Sequence, residues 1–164
     1  MIADSYTERP IYISRTAGNY AETLGLGNNV ITQGLAQKVF IPTKNMGPDT
    51  VMVQGDGYMD VNRTLTLWDS VFQAPQSLAK RHGWVDKPSI GIPYLYIATG
   101  VELAQTLNAV GKSQYAPRIV SDTRKVVTAL NLEDYFPGMD VLPPVPAVPS
   151  GDSAVGTPIP TKKK

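Results

Sequence analysis

The sequence predicts an α+β fold: an antiparallel sheet with a few short helices and an extended Pro-rich C-terminal arm, with an all-β sandwich as the alternative. Three observations carry that expectation. Two β-prone runs flank Asp56-Gly57 in TVMVQGDGYMDVN, and apolar residues recur near a 3.6-residue period from Ile97 to Val110. Seven of the fourteen prolines fall in the last 28 residues. A chain of 164 residues has the length of one domain with appendages. The composition changes at Pro137, which divides the chain into a globular body, 1–136, and an arm, 137–164.

The body opens on PIYISRT, where Ile11 and Ile13 alternate with Tyr12 and Ser14 and Pro10 suits the first position of a strand. From Gly18 to Gly34 the run GNYAETLGLGNNVITQG is rich in Gly and Asn, which favours turns over any long helix and leaves only AETL helical. LAQKVFI, 35–41, is an apolar run ended by Pro42. Asp56-Gly57 supplies the positive φ angles of a tight hairpin turn. RTLTLWD, 63–69, then reads as a third antiparallel strand, with Leu65 and Leu67 on one face and Thr64, Thr66 and Trp68 on the other. The three strands form a meander over 50–68.

From about residue 70 to 135 the pattern becomes helical, with two or three short helices expected. Ser70-Val71-Phe72 and QSLAKRHGW come first, with Leu78 and Ala79 turned inward and Gly83 as the stop. YLYIATGVELAQTLNAVG places Ile97, Val101, Ala104, Leu107 and Val110 on one stripe, and Gly111 is a natural terminator. Its first part, Tyr94 to Ile97, fits a buried strand equally well. SDTRKVVTALNLEDYF opens on Ser121 or Asp122 as a cap and spaces Val126, Val127 and Leu130 along one helix face.

Composition then limits function. The hydrophobic fraction is 42% and the charged fraction 18%, below the roughly 25% usual for soluble domains, which suits a turn-rich body or one partly covered by a partner. Fifteen basic against fourteen acidic residues give +1; without Lys162, Lys163 and Lys164 the balance is 12 against 14, or −2. A near-neutral body offers no clustered basic face, so no nucleic-acid partner is expected. The longest gently apolar stretch, Ile90 to Val101, is far short of the roughly 18 residues that span a bilayer, and no membrane partner is expected. The N-terminus lacks the basic-then-apolar order of a secretory signal, which points to a protein made in the cytoplasm and kept there unless a particle carries it.

No motif points to chemistry. The chain has no Cys and one His, His82, which sits in KRHGW as a surface residue at a helix end. GLGNN at Gly25 to Asn29 lacks the spacing of a phosphate-binding loop and reads as turn chemistry. Asp56 and Asp60 lack the further ligands of a Ca²⁺ loop. The acids Glu22, Asp60, Asp69, Glu102, Glu133 and Asp134 show no catalytic pairing. The sequence therefore predicts a protein that is not an enzyme, with no catalytic residue, no cofactor and no metal. The aromatic second half, Trp68, Trp84, Tyr94, Tyr96, Tyr115, Tyr135 and Phe136, is expected mainly in the core.

The arm carries the candidate partner-binding residues. Pro143-Pro144-Val145-Pro146 and Pro146-Ala147-Val148-Pro149 each fit PxxP, a pattern that aromatic grooves bind in polyproline conformation. Val141, Leu142, Pro143, Pro144, Val145, Pro146, Val148 and Pro149 make the arm more apolar than ordinary linkers. An apolar extended segment suggests a protein partner, a symmetric lattice or other copies of the chain.

Taken whole, the few charges, the absence of Cys, the abundance of Gly, Pro, Asn and Thr and the apolar Pro-rich arm resemble bacteriophage virion structural proteins of the minor capsid, cement or decoration type. The likeness is one of composition and layout, carried by no motif, and it assigns no residue a role. It implies a virion location and a body that docks on a capsid lattice with the arm as a tie. The alternative is a stand-alone small-ligand or peptide-binding module.

Overall fold

The computed structural model describes residues 8–40, 46–53, 57–80 and 85–136. The whole arm, with the eight candidate partner-binding residues Val141 to Pro149, lies outside the described residues, as do Asp56, His82, Gly83 and Trp84.

Five strands form one sheet: β1 (Tyr12–Ser14), β2 (Val30–Gln33), β3 (Ala36–Val39), β4 (Thr50–Val53) and β5 (Gly57–Asp60), in the order β1-β3-β2-β5-β4. The fold is α+β, as the sequence predicts, but the sheet is mixed rather than purely antiparallel. Two hairpins, β2-β3 and β4-β5, lie side by side, and β2 pairs with β5 in parallel. Gly34 makes the first hairpin possible: Gln33 pairs with Ala36, and the two-residue turn between them needs the positive φ of 65° that Gly34 adopts. In the second, Val53 pairs with Gly57, so Gly57, at φ 78°, opens β5 instead of sitting inside a two-residue turn with Asp56.

The 50–68 meander does not form. Residues 63–69 belong to a helix, and the third partner in the sheet is β2, drawn from a segment read as turns. After α1 (Tyr20–Thr23), the helix α2 (Val61–Ser70) starts where the Asp60 carboxylate accepts the Arg63 backbone N–H at 2.9 Å. Its buried residues, Val61, Thr64, Leu65 and Trp68, fall at helical spacing, while Thr66 is exposed and bonds back to the Asn62 carbonyl. Leu65 and Leu67 fit a two-residue period as well, but a capped start and the one-sided burial of Val61, Leu65 and Trp68 favour the helix.

The helices that follow are α3 (Ala74–Ala79), α4 (Gly91–Ala109) and α5 (Ala116–Ala129). With α2 that makes four helices among the described residues between 61 and 129, two of them longer than the short ones expected. Gly111 ends α4 region at φ 71°, and Tyr94 to Ile97 is helical rather than a strand. Helix α5 begins at Ala116, with Pro117 in its first turn where a missing N–H costs nothing, so Ser121 and Asp122 sit inside the helix and cap nothing.

The register places Tyr12, Lys38, Ile31, Tyr58 and Met52 in one row on one face, and Ile13, Gln37, Thr32, Met59 and Val51 in the next row on the other. The second face meets the helices. Met59, Val61, Leu65, Trp68, Leu103, Leu107, Ile119 and Val120 form the main core between sheet, α2, α4 and α5. Ile97, Val126, Val127, Leu130 and Leu132 form a second cluster, against which Leu78, Ala79 and Phe136 pack. Ile13, Ala21, Val30 and Val39 form a third under α1. A fully buried aliphatic side chain contributes about 1.5–3 kcal/mol, and every residue of these clusters lies within 11–136, so the body holds its own core.

Candidate interaction surfaces

Several ionisable groups of the body hold the fold together. Arg15 leaves the end of β1 and reaches α4, where its Nη1 donates to Thr99 Oγ1 at 2.8 Å and its Nη2 to Glu102 Oε1 at 2.7 Å. Both side chains are largely buried, at 8% and 12% exposure, which makes this an ion pair whose partners depend on each other. Asp60 caps α2 with one oxygen and accepts Gln33 Nε2 at 3.0 Å with the other. Asp69 pairs with Arg118 across α2 and α5. Glu22, Glu133 and Asp134 are exposed. Of the six acids weighed as a catalytic pairing, only the neighbours Glu133 and Asp134 share an element, and both are exposed; the other four lie on separate elements.

A polar cleft opens on the sheet face opposite the helices. Ile31 and Phe40 form its floor, Phe40 meeting Tyr58 edge to face at 5.8 Å, and Gln33, Lys38, Asp49, Asp60 and Asn62 rim a volume of about 580 Å³. Beside it Asn62 Nδ2 donates to Asp49, Lys112 Nζ donates to Asn62 Oδ1, and Lys112 lies 3.5 Å from Asp49 Oδ1. Each group of this triad therefore satisfies another. No local pattern announces it, because Asp49 and Lys112 are far apart in the chain.

A second depression runs on the helix side. Its narrow part, about 300 Å³, lies between α4 and the turn after β1, lined by Arg15, Gly18, Gln37, Tyr94, Leu95, Ala98 and Glu102. Gly18 and Gln37 also line a wider part of about 880 Å³ that continues past Ala21, Gly27 and Val30 to Val53 and Gly57. The two parts share a wall and form one groove. At its α4 end the Tyr94 ring meets Phe136 at 4.9 Å, the last residue described before the arm.

The aromatics divide between core and surface. Trp68 is buried and Tyr96 half-buried, its ring edge-on to Phe72 at 5.7 Å; burial raises the Tyr96 phenol above its ordinary pKa. Tyr12, Tyr20, Tyr94, Tyr115 and Tyr135 are exposed, joined by Met52 and Ile92. Among the described residues no group of three or more metal-ligating side chains is found, and no helix is long and apolar enough to cross a membrane.

No protein family, curated protein or solved structure matches this chain.

Proposed function

We propose that the chain is a structural assembly protein, a virion-associated decoration, cement or minor capsid component that docks on a protein lattice through its body and its C-terminal arm. What supports this reading is how the body spends its side chains. Its acids are either tied into fold-holding pairs, as in Arg15–Glu102 and Asp49–Asn62–Lys112, or scattered over the surface, while large apolar and aromatic groups such as Met52, Ile92, Tyr94 and Tyr135 face outward. Assembly on a repeated lattice needs complementary surfaces and many weak contacts per copy, and an apolar arm adds avidity without chemistry. The partner is protein, either a capsid lattice or copies of the chain, and neither nucleic acid nor membrane is required. Mass spectrometry of particles purified from the organism that encodes the chain tests this: a fixed copy number per particle is expected, and particles lacking it would overturn the proposal.

The polar cleft favours a second reading, a stand-alone small-ligand module. Its volume of about 580 Å³ falls within the roughly 300–1,000 Å³ of ligand sites. A melting temperature that rises with a small polar ligand, in a protein that stays monomeric, would support this reading.

A further inference from the structure

We infer that the groove beside α4 is the seat of the chain's own arm, taking residues 141–149 in extended, polyproline-like form. This goes beyond the assembly reading and stands or falls separately from it.

The arm leaves the body beside this groove. The arm starts at Pro137, one residue beyond Phe136, and Phe136 stacks on Tyr94, which is itself a wall of the groove. Residues 137–140 supply about 12 Å of chain at roughly 3.1 Å per residue, and residues 141–149 about 28 Å. The wide part of the groove runs from Gln37 on β3 to Val53 on β4, three strand spacings away, or roughly 14 Å. The arm is long enough to follow it. A segment tethered this close to its site sees an effective concentration on the order of millimolar, so even a weak fit is populated.

The chemistry of the arm also suits the groove. VLPPVPAVP carries no charge, and the two charges in the narrow part, Arg15 and Glu102, are spent on each other. Tyr94, Leu95 and Ala98 offer an apolar wall with an aromatic end, the surface on which Pro and Val side chains pack. A Pro-rich segment lacks many N–H groups but keeps its carbonyls, which need donors. The side-chain amides of Asn28 and Gln37 stand in the lining as such donors. Glycines 18, 25 and 27 keep part of the rim free of side chains, letting a backbone approach closely; at Gly18 and Gly25 an added Cβ would meet nothing within 4 Å. Seated there, the arm hides its apolar residues in the free chain and is released when a neighbour competes for it.

The absence of cysteine makes the test clean. In the full chain, Ala98→Cys is combined in turn with Val141→Cys, Val145→Cys or Val148→Cys and oxidised mildly at low concentration. Asn108→Cys, ten residues along the same helix and about 15 Å away, serves as control. At least one Ala98 pair is expected to close an intrachain disulfide, seen as a fast-running monomer on a non-reducing gel, tenfold or more faster than its Asn108 counterpart. Equal rates would overturn the inference, and so would disulfides that only join two chains. In parallel, deletion of 138–164 is expected to shift the amide resonances of Gly18, Gln37, Leu95 and Ala98; no shift at any of them would also overturn it. Failure of these tests with arm-dependent assembly intact sinks the groove assignment alone, whereas an arm seated as described in a chain absent from particles sinks the assembly reading alone.

Discussion

Helix α4 meets α2 and α5 at Gly100, where a Cβ would lie 2.2 Å from Thr123 Oγ1 and 2.8 Å from the Trp68 ring. Gly100→Ala therefore sets two effects against each other. Inside a helix, Ala is favoured over Gly by about 1 kcal/mol. Against that, Thr123 and Trp68 are both buried, and the Thr123 hydroxyl donates to the Ile119 carbonyl at 2.7 Å. A short β-branched side chain has no distant, flexible end to move aside. Overpacking at such a contact costs about 1–3 kcal/mol, and displacing the hydroxyl from its acceptor costs about 1 kcal/mol more. The expected outcome is a net destabilisation of about 1–3 kcal/mol, read in urea as a midpoint lowered by roughly 1 M with an unchanged slope. Thr123→Ala in the same background should recover part of the loss, giving a coupling energy of at least about 0.5 kcal/mol. An unchanged or raised midpoint for Gly100→Ala would refute the packing described here.

Three further outcomes are expected. Arg15→Ala leaves the largely buried Glu102 carboxylate without its main partner and should cost about 3–5 kcal/mol, measured by urea denaturation, whereas an apolar replacement of both residues should cost far less. Asp60→Ala removes the α2 cap and the acceptor of Gln33 and should cost about 1–2 kcal/mol, read as a lower melting temperature with the helical signal of the folded state retained. Burial raises the Tyr96 pKa above 10.0, so the native state keeps a proton that the unfolded chain has lost; the associated stability is complete below about pH 10 and falls as pH rises through the native value. Urea midpoints measured from about pH 9 to 11 should fall less steeply in Tyr96→Phe.

The helical spacing of apolar residues in α4 and the β4-β5 hairpin were legible because their signals are local. Ile97, Ala104 and Leu107 are buried as their spacing requires, and Gly57 has the positive φ its position implies. Residues 63–69 mislead because Thr-Leu-Thr-Leu-Trp satisfies a period of two as well as a helical face, and the deciding residue, Asp60, both ends β5 and caps α2. β2 was hidden in a run of Gly and Asn, since its four residues are held by partners on both sides rather than by their own propensity. The Arg15–Glu102 pair, the Asp49–Asn62–Lys112 triad and the groove all join residues distant in sequence, which no local pattern announces. The arm's composition, by contrast, was plain from the sequence, and the structure adds the place where it leaves the body.

The proposed role is docking, with the arm as a tie. Its most direct test is binding of the full chain and of residues 1–137 to purified particles stripped of it, measured by co-sedimentation over a range of concentrations. The three core clusters lie within 11–136, so the shorter chain is expected to fold. Loss of the arm should weaken binding at least tenfold while leaving the melting temperature nearly unchanged. Equal binding by the two chains would rule out the arm as a tie.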